Sequence, residues 1–241
     1  MTLARTIVVT GTDTDVGKTV VTAAIAAAAT LAGRRVAVVK PAQTGVATGV
    51  EPDAAAVDRL AGPATVRTFV AYPDPLAPLA AARVVGEAPL PVMEAHLGVR
   101  RLGVDHDLVL VEGAGGLLVP LGAGGWTAAD MAVALRAETV VVARAGLGTL
   151  NHTALTLEAL DRRDVPAVVV IGAWPAQPGL VDLTNLDDLP GDLAGVVPQA
   201  VGALSRDAFR AAAARWLAPV LYGTLDVGAF RAKPDVRTLW A

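Results

Sequence analysis

The sequence predicts an α/β protein with a doubly wound, mainly parallel sheet flanked by helices. Short aliphatic and β-branched runs alternate with longer Ala-rich or amphipathic segments, which is typical of parallel strands joined by crossover helices. Glycine-containing turns follow several of the apolar runs. The 241 residues are 54% hydrophobic, which is enough to bury the core of one domain over residues 1–241.

The periodicity predicts six strands, in chain order over residues 7–10, 35–40, 107–112, 139–143, 167–171 and 193–197. It predicts six helices, over residues 17–32, 52–60, 91–102, 127–135, 149–162 and 206–217. Gly33 ends the first helix, Pro41 ends the second strand, and a Thr/Asn cap begins the helix at Thr149. The Pro-containing segments 69–91 and 174–190 predict loops with at most a short helix each.

Composition excludes several classes of protein. The net charge of −3 argues against nucleic acid or an anionic membrane as a partner. Mean hydropathy is +0.52, yet polar residues interrupt every apolar run before the about 18 residues that a membrane span requires. The chain has no cysteine, hence no disulfide, thiolate nucleophile or Cys-based zinc site. A strand that begins just after Arg5 leaves no room for a signal peptide, so we expect a cytoplasmic protein.

The strongest motif joins the first strand to the first helix. Residues 11–19 are Gly-Thr-Asp-Thr-Asp-Val-Gly-Lys-Thr, and this strand–loop–helix context predicts a phosphate-binding P-loop. Backbone N–H groups would surround the phosphates, Lys18 would reach the β- and γ-phosphates, and the Thr19 hydroxyl would bind Mg²⁺. A strict motif requires glycine where Thr12 stands, so Gly11 makes this a variant P-loop.

Ligands bind at the carboxyl ends of the strands in such sheets. The candidates that follow strand ends are Lys18, Lys40, Thr44, Glu112 and Gly113–Gly116. Glu112 is placed like a Walker-B carboxylate that holds Mg²⁺ directly or through water, the alternative being a solvated strand-end glutamate. Asp53, at a helix start, is either a cap or a metal ligand.

Lysine occurs only at Lys18, Lys40 and Lys233, and every other basic side chain is arginine. One explanation is that lysine is kept at these positions by chance. The other is that a compact ammonium at Lys40 stabilises negative charge during phosphoryl transfer. His96 and His106 lack partner spacing and are expected at the surface. The helix start that carries Asn151 and His152 is a place where anions bind.

With these residues assembled, the chain resembles the dethiobiotin synthetase family over nearly its whole length. The matching segments are Gly-Thr-Asp-Thr-Asp-Val-Gly-Lys-Thr (11–19), Val-Lys-Pro-Ala-Gln-Thr-Gly (39–45), Val-Glu-Gly-Ala-Gly-Gly (111–116) and Gly-Leu-Gly-Thr-Leu-Asn-His (146–152). The resemblance implies a P-loop NTPase fold and a ligase of biotin synthesis. Its substrates would be 7,8-diaminononanoate, CO₂ or bicarbonate, and ATP or another nucleoside triphosphate with Mg²⁺.

The resemblance also implies roles for individual residues. Lys40, Lys18 and Thr14 would be catalytic, and Thr19, Asp53 and Glu112 would bind Mg²⁺. Substrate would contact Thr44, Lys40, Gly148, Asn151 and His152, the last three from the neighbouring subunit of a homodimer. The implied nucleotide-binding set is Asp15, Val16, Gly17, Lys18, Thr19, Val20, Asp53, Glu112, Gly113, Ala114, Gly115, Gly172, Ala173 and Pro198.

One departure concerns the base of the nucleotide. Many members carry an Asn-Asp pair just after the strand at 167–171, and the Asn helps to read adenine. Here the chain continues Gly172-Ala173-Trp174, without an amide side chain. Since a missing hydrogen-bonding group relaxes discrimination, we hypothesise weak selectivity for adenine.

Three other functions are compatible with a P-loop α/β fold. A cobyrinate amidase-type synthetase usually carries a glutamine-hydrolysing domain with a nucleophilic Cys, and this chain has neither the Cys nor the length. A partitioning-type ATPase switch has a signature lysine where Asp13 stands. A metabolite kinase would transfer phosphate without depending on CO₂.

Overall fold

The computed structural model describes residues 4–232. The strands are β1 Arg5–Gly11, β2 Val36–Gln43, β3 Thr65–Ala71, β4 Leu108–Gly116, β5 Glu138–Ala143, β6 Ala167–Trp174 and β7 Leu193–Pro198. The helices are α1 Lys18–Leu31, α2 Asp53–Ala61, α3 Pro78–Val85, α4 Val92–Asp105, α5 Ala128–Leu135, α6 Thr149–Asp161, α7 Leu180–Asp188, α8 Arg206–Ala213 and α9 Val227–Arg231. None of these helices is long and apolar enough to cross a membrane. Lys233 lies outside the described residues.

All seven strands form one parallel sheet in the order β3-β2-β4-β1-β5-β6-β7. This confirms the predicted fold class. β1 lies inside the sheet between β4 and β5, and the strand order reverses beside it. Such a reversal opens a crevice at the carboxyl ends of the strands, where doubly wound proteins bind ligands.

Helices cover both faces of the sheet. On one face α1 packs with α2 and α8 in a single apolar cluster, and on the other face α4 and α5 pack against a second cluster. Every residue from Val21 to Ala29 in α1 is buried. Alanine side chains are small enough for α1 to contact the sheet on one side and two helices on the other. The beginning of α1, which follows the P-loop, is therefore held in place by the core.

Three predicted strand ends were wrong because the strands continue. β6 runs to Trp174, past its predicted end at residue 171. The Gly-rich segment Gly113–Gly116, expected as a loop, is the last part of β4, and Gly116 pairs with Gly11 of β1. β2 runs past Pro41 to Gln43. Its pairing with β4 ends at Val39, so the missing N–H of Pro41 removes no hydrogen bond from that ladder.

The edge strand β3 was not predicted. Its residues Thr65–Ala71 pair only with β2 and none of them is fully buried, so the sequence lacks the continuous apolar run of an interior strand. Helix α9 was also not predicted, and α8 ends at Ala213 rather than Leu217. The segment 174–190 does contain a short helix, α7.

His106 is not a surface residue, contrary to the prediction. Only 9% of it is exposed. Its Nδ1 lies 2.8 Å from the carbonyl oxygen of Leu102, and its Nε2 lies 2.9 Å from the Thr65 hydroxyl. The ring thus joins the end of α4 to the unpredicted strand β3, a contact that no sequence spacing reveals.

Candidate active site

The P-loop follows β1 in a conformation that explains its variant sequence. The Thr12 amide donates to the Val142 carbonyl oxygen at 3.0 Å, and Thr12 does not have a positive φ, so position 12 does not require glycine. A Cβ atom at Gly11 would lie 2.6 Å from the Asp13 carbonyl oxygen, a distance that real Cβ atoms essentially never show. Gly17 has φ +96°, which favours glycine. The glycine requirement has moved to position 11.

Asp13 connects the P-loop to neighbouring groups through three of its atoms. Its carbonyl oxygen accepts from Lys18 Nζ at 2.9 Å, and its Oδ1 accepts from the Thr14 amide at 2.8 Å. Its Oδ2 lies 2.7 Å from the Arg144 guanidinium, which follows β5. The Thr14 hydrogen bond, with smaller contributions from Arg144 and His152, holds the pKa of Asp13 below its usual range.

Lys40 lies at the centre of a buried ion cluster, which we call the Lys40 cluster (Lys40, Asp53, Glu112). Lys40 Nζ is 2.6 Å from Asp53 Oδ2, 3.0 Å from Glu112 Oε1 and 2.6 Å from the Gly113 carbonyl oxygen. Burial lowers the pKa of Lys40, but the two carboxylates outweigh it, so the pKa is raised and the ammonium stays charged. The Thr19 hydroxyl donates to the same Glu112 oxygen at 2.9 Å.

For each of the two carboxylates, the cluster argues against the structural alternative that the sequence left open, while metal binding stays a prediction. Glu112 is 1% exposed, so it is not a solvated strand-end residue. Asp53 makes no side-chain cap on α2, and its carboxylate pairs with Lys40 instead. Parallel β2 and β4 are neighbours in the sheet, which is why residues 72 positions apart in sequence meet.

Gln43 is a site residue that the sequence analysis did not single out. Its Oε1 accepts from the Asp53 amide at 3.0 Å, and its Nε2 donates to the Thr44 carbonyl oxygen at 3.0 Å. This side chain ties the end of β2 to the beginning of α2 and so sets the position of Asp53. It lies in the quoted segment 39–45, but only the fold shows its role.

A cleft of about 660 Å³ opens above the cluster. The P-loop, the end of β2, the loop that leads to α2 and the glycine-rich end of β4 line it. Predicted site residues in this lining are Thr14, Asp15, Gly17, Lys18, Thr19, Val20, Lys40, Thr44, Asp53, Ala114 and Gly115. Burial, followed by the charge of Lys40, lowers the pKa of Lys18 at the cleft wall.

The other predicted residues lie elsewhere. Val16 is buried in the core, so only its backbone is available to a nucleotide. Its carbonyl oxygen lies 2.0 Å from where a Cβ atom of Gly172 would stand, which places the end of β6 against the P-loop. Ala173 and Pro198 follow at the ends of β6 and β7. Glu112 and the Gly113 carbonyl oxygen contact Lys40, which itself lines the cleft.

Gly148, Asn151 and His152 do not line this cleft. They lie at the beginning of α6, beyond the P-loop, and all three residues are exposed to solvent. Arg144, in the same β5–α6 connection, reaches Asp13 from this side. Within one chain the first turn of α6 is therefore near the P-loop but not part of the cleft.

The oxygen atoms of the three predicted metal ligands are of the kinds that a magnesium ion binds. Thr19 supplies a hydroxyl, and Asp53 and Glu112 supply carboxylates, all of them near Lys40 Nζ. Among residues 4–232 no cluster of three or more His, Cys, Asp or Glu side chains is placed to hold a metal. Mg²⁺ usually takes one or two carboxylates and completes its shell with water and substrate phosphates, so this sparse set suits it.

The sheet, the P-loop and the Walker-B-like Glu112 define a P-loop nucleotide-binding α/β protein. A family model described as an AAA domain matches residues 5–211. The chain is 57% identical to ATP-dependent dethiobiotin synthetase BioD of Rhodococcus jostii (strain RHA1), covering 87% of this chain and 93% of that protein. It is 53% identical to the protein of the same name from Streptomyces coelicolor, covering 93% and 96%. The chain belongs to the dethiobiotin synthetase family, as the resemblance implied.

Among solved structures, cobyrinic acid a,c-diamide synthase of Mycobacterium smegmatis, determined with an ATP analog and magnesium, is similar to this fold. The two structures superpose with a TM-score of 0.55 and are 18% identical in sequence. The match covers 88% of this chain and 93% of the synthase chain. At this identity the likeness shows the fold alone. The sequence relatives therefore decide between the rival enzymes, and they are named as dethiobiotin synthetases.

Replacing Lys40 with methionine is expected to remove activity and lower stability together. The substitution leaves Glu112 buried without its cation, and breaking a buried ion pair from one side typically lowers the free energy of unfolding by about 3–5 kcal/mol. Denaturant unfolding and phosphate-release assays measure the two effects.

The double variant Lys40→Met, Glu112→Gln is the control for this prediction. Removing both charges is expected to restore much of the lost stability, while activity stays absent because no ammonium remains. An active double variant would contradict the role assigned to Lys40.

Proposed function

We propose that this protein closes the ureido ring of dethiobiotin from 7,8-diaminononanoate and CO₂ at the expense of a nucleoside triphosphate. One observation carries the proposal: the charged Lys40 ammonium lies at the floor of the cleft, beside the P-loop and the candidate Mg²⁺ ligands. A fixed cation there can stabilise an anion that forms next to the terminal phosphate. The relatives' names specify ATP as the nucleotide.

The reaction proceeds in three steps. One substrate amine attacks CO₂ and loses a proton, which gives a carbamate. A carbamate oxygen then attacks the γ-phosphorus, the bond to the β-phosphate oxygen breaks, and a carbamic–phosphoric anhydride forms with release of the nucleoside diphosphate. Finally the second amine attacks the carbamoyl carbon, and the C–O bond to phosphate breaks to release inorganic phosphate and the cyclic urea.

The chain's residues serve these steps by position and charge. Lys40, Lys18 and Thr14 all line the cleft. Lys40 would face both the carbamate and the moving phosphoryl group, and Lys18 with Thr14 would contact the triphosphate. Thr19, Asp53 and Glu112 would hold Mg²⁺, which neutralises phosphate charge when bound. Thr44 stands at the cleft wall, where its hydroxyl can bind substrate.

The experiment that tests this function measures phosphate release from ATP with Mg²⁺, with and without diaminononanoate and bicarbonate. Release is expected only when both are present, because the carbamate is the nucleophile. CO₂-free buffer provides the matched control, and dethiobiotin is identified by mass spectrometry. Phosphate release that ignores bicarbonate would contradict the proposal and favour a kinase or an ATPase switch.

The nucleotide base would lie beside the ends of β6 and β7. The side chain that follows Gly172 is the methyl group of the exposed Ala173, which forms no hydrogen bond to a base. The carbonyl oxygen of Trp174 already accepts from the Gln199 amide at 2.7 Å. These contacts support weak discrimination among bases, with affinity supplied mainly by the triphosphate.

We therefore expect the KM values of ATP, CTP, GTP and UTP to lie within about tenfold of one another. Ala173→Asn, which adds an amide at the end of β6, is expected to lower KM for ATP relative to the other three. Steady-state kinetics with each nucleotide measures this. Efficient use of ATP alone by the unmodified protein would contradict the hypothesis.

We further propose a homodimer in which the first turn of α6 receives the substrate carboxylate in the partner's site. The exposed apolar side chains Leu118 and Leu155 line a groove of about 400 Å³ near this turn, and Leu147 beside it is 78% exposed. A second copy of the chain would cover this surface. The N–H groups of the α6 first turn would then face a carboxylate, which helix termini favour.

Two inactive variants test the shared site when they are combined. Lys40→Ala removes the ammonium, and Gly148→Asp sets a carboxylate where the substrate's carboxylate would bind; aspartate tolerates the φ of +85° there better than most residues. A heterodimer purified through two different tags is expected to recover about half of the wild-type activity, since one of its two sites is intact.

Homodimers of either variant are the controls and should be inactive. An inactive heterodimer, or a monomer in sedimentation analysis, would contradict the shared site. Cytoplasmic location and the absence of nucleic-acid or membrane partners stay predictions.

A further inference from the structure

Asn185 of α7 is buried and directed at the connection between β5 and α6. Only 8% of it is exposed. Its Nδ2 donates to the Ala145 carbonyl oxygen at 2.8 Å and to the Gly146 carbonyl oxygen at 3.0 Å. Both acceptors are carbonyl groups, so only the NH₂ end of the amide can face them. Both of its donors are therefore used on two consecutive residues of one loop.

The second of these carbonyl groups connects Asn185 to the helix that follows. The Gly146 oxygen also accepts from the amide of Thr149, the first residue of α6, at 3.3 Å. One oxygen is thus shared by the Asn185 side chain and the beginning of α6. The predicted Thr/Asn cap is wrong: no side chain caps α6, and its N-cap residue is Gly148, with φ +85°. Asn185 is consequently a side chain that fixes this turn from outside the helix.

We propose that Asn185 is a positioning residue that orients the first turn of α6 for the substrate carboxylate. This inference rests on the proposed function, in which that turn receives the carboxylate of diaminononanoate. It also assigns a role to segment 174–190, whose purpose the motifs do not explain. Asn185 touches no reacting atom and acts through Gly146 and Thr149.

Helix α7 does not depend on Asn185 alone for its place in the fold. Leu186 and Leu189 pack in an apolar cluster with Ala145 and with residues of β6. Removing the amide should therefore leave α7 docked and the chain folded, while the Gly146 carbonyl group loses the donor that orients it. The expected defect is geometric and local to the α6 turn.

The test compares two substrates in the Asn185→Ala variant. For diaminononanoate KM is expected to rise about tenfold, because a small displacement of a binding group has effects of this order or larger. For 2,3-diaminononane, which has a methyl group in place of the carboxylate, kcat/KM should stay within about twofold of wild type. KM for ATP should also stay within about twofold, since the cleft is untouched.

Thr184→Ala is the matched control. Thr184 is the neighbouring residue on α7, is exposed, and bonds only to carbonyl groups of its own helix. This variant should behave as wild type with both diamines. Asn185→Asp keeps the size of the side chain but places a negatively charged carboxylate against the two carbonyl oxygens, which repel it. This variant should therefore raise KM for diaminononanoate more than Asn185→Ala does. Asn185→Ser, with a hydroxyl donor, replaces Asn185→Ala if thermal unfolding shows the latter unfolded.

An unchanged KM for diaminononanoate would overturn the inference. Equal losses with both diamines and with ATP would also overturn it, since they indicate general damage rather than positioning. Failure of the proposed function is recognised separately, because wild-type protein would then show no bicarbonate-dependent phosphate release in the same assay.

Discussion

The Lys40 cluster is the interaction on which the site depends. An ammonium that is 4% exposed requires nearby negative charge, and Asp53 and Glu112 supply it from α2 and β4. Because an unpaired buried charge is strongly unfavourable, the cluster holds three elements together at one place. In the proposed function the same groups serve phosphoryl transfer, Lys40 as a fixed cation and the two carboxylates as ligands for Mg²⁺. The Lys40 cluster thus contributes both to the stability of the fold and, in the proposed function, to the reaction.

The sheet topology makes that cluster possible. β2 and β4 lie side by side, and β1 next to them delivers the P-loop at the same edge. The Ala-rich part of α1 from Val21 to Ala29 is buried, which fixes the start of the helix that carries Lys18 and Thr19. On the other side of β1, the β5–α6 connection is tied to the P-loop by the ion pair between Arg144 and Asp13, and to α7 by Asn185. The P-loop and the β5–α6 connection are therefore both held in place by neighbouring elements.

The resemblance to dethiobiotin synthetases and the geometry support each other at different levels. Identity above 50% over most of the chain establishes the family. The contacts explain features that identity does not, such as the glycine at position 11 and the pairing of Asp53 with Lys40. The end of β6, where Ala173 stands, offers no amide side chain, and the proposed weak selectivity for the base of the nucleotide rests on that position.

The sequence by itself determined the fold class, the P-loop and the candidates Lys40, Asp53 and Glu112, because strong periodicity and strand-end position are local signals. The edge strand β3, the buried His106 and the roles of Gln43 and Asn185 were decided only by the tertiary structure. β3, His106 and Asn185 each depend on a partner far away in sequence, such as the Ala145 and Gly146 carbonyl groups that orient Asn185, whereas Gln43 contacts the nearer Thr44 and Asp53. A polar side chain has no spacing rule that names its partner, so only packing reveals which contact it makes.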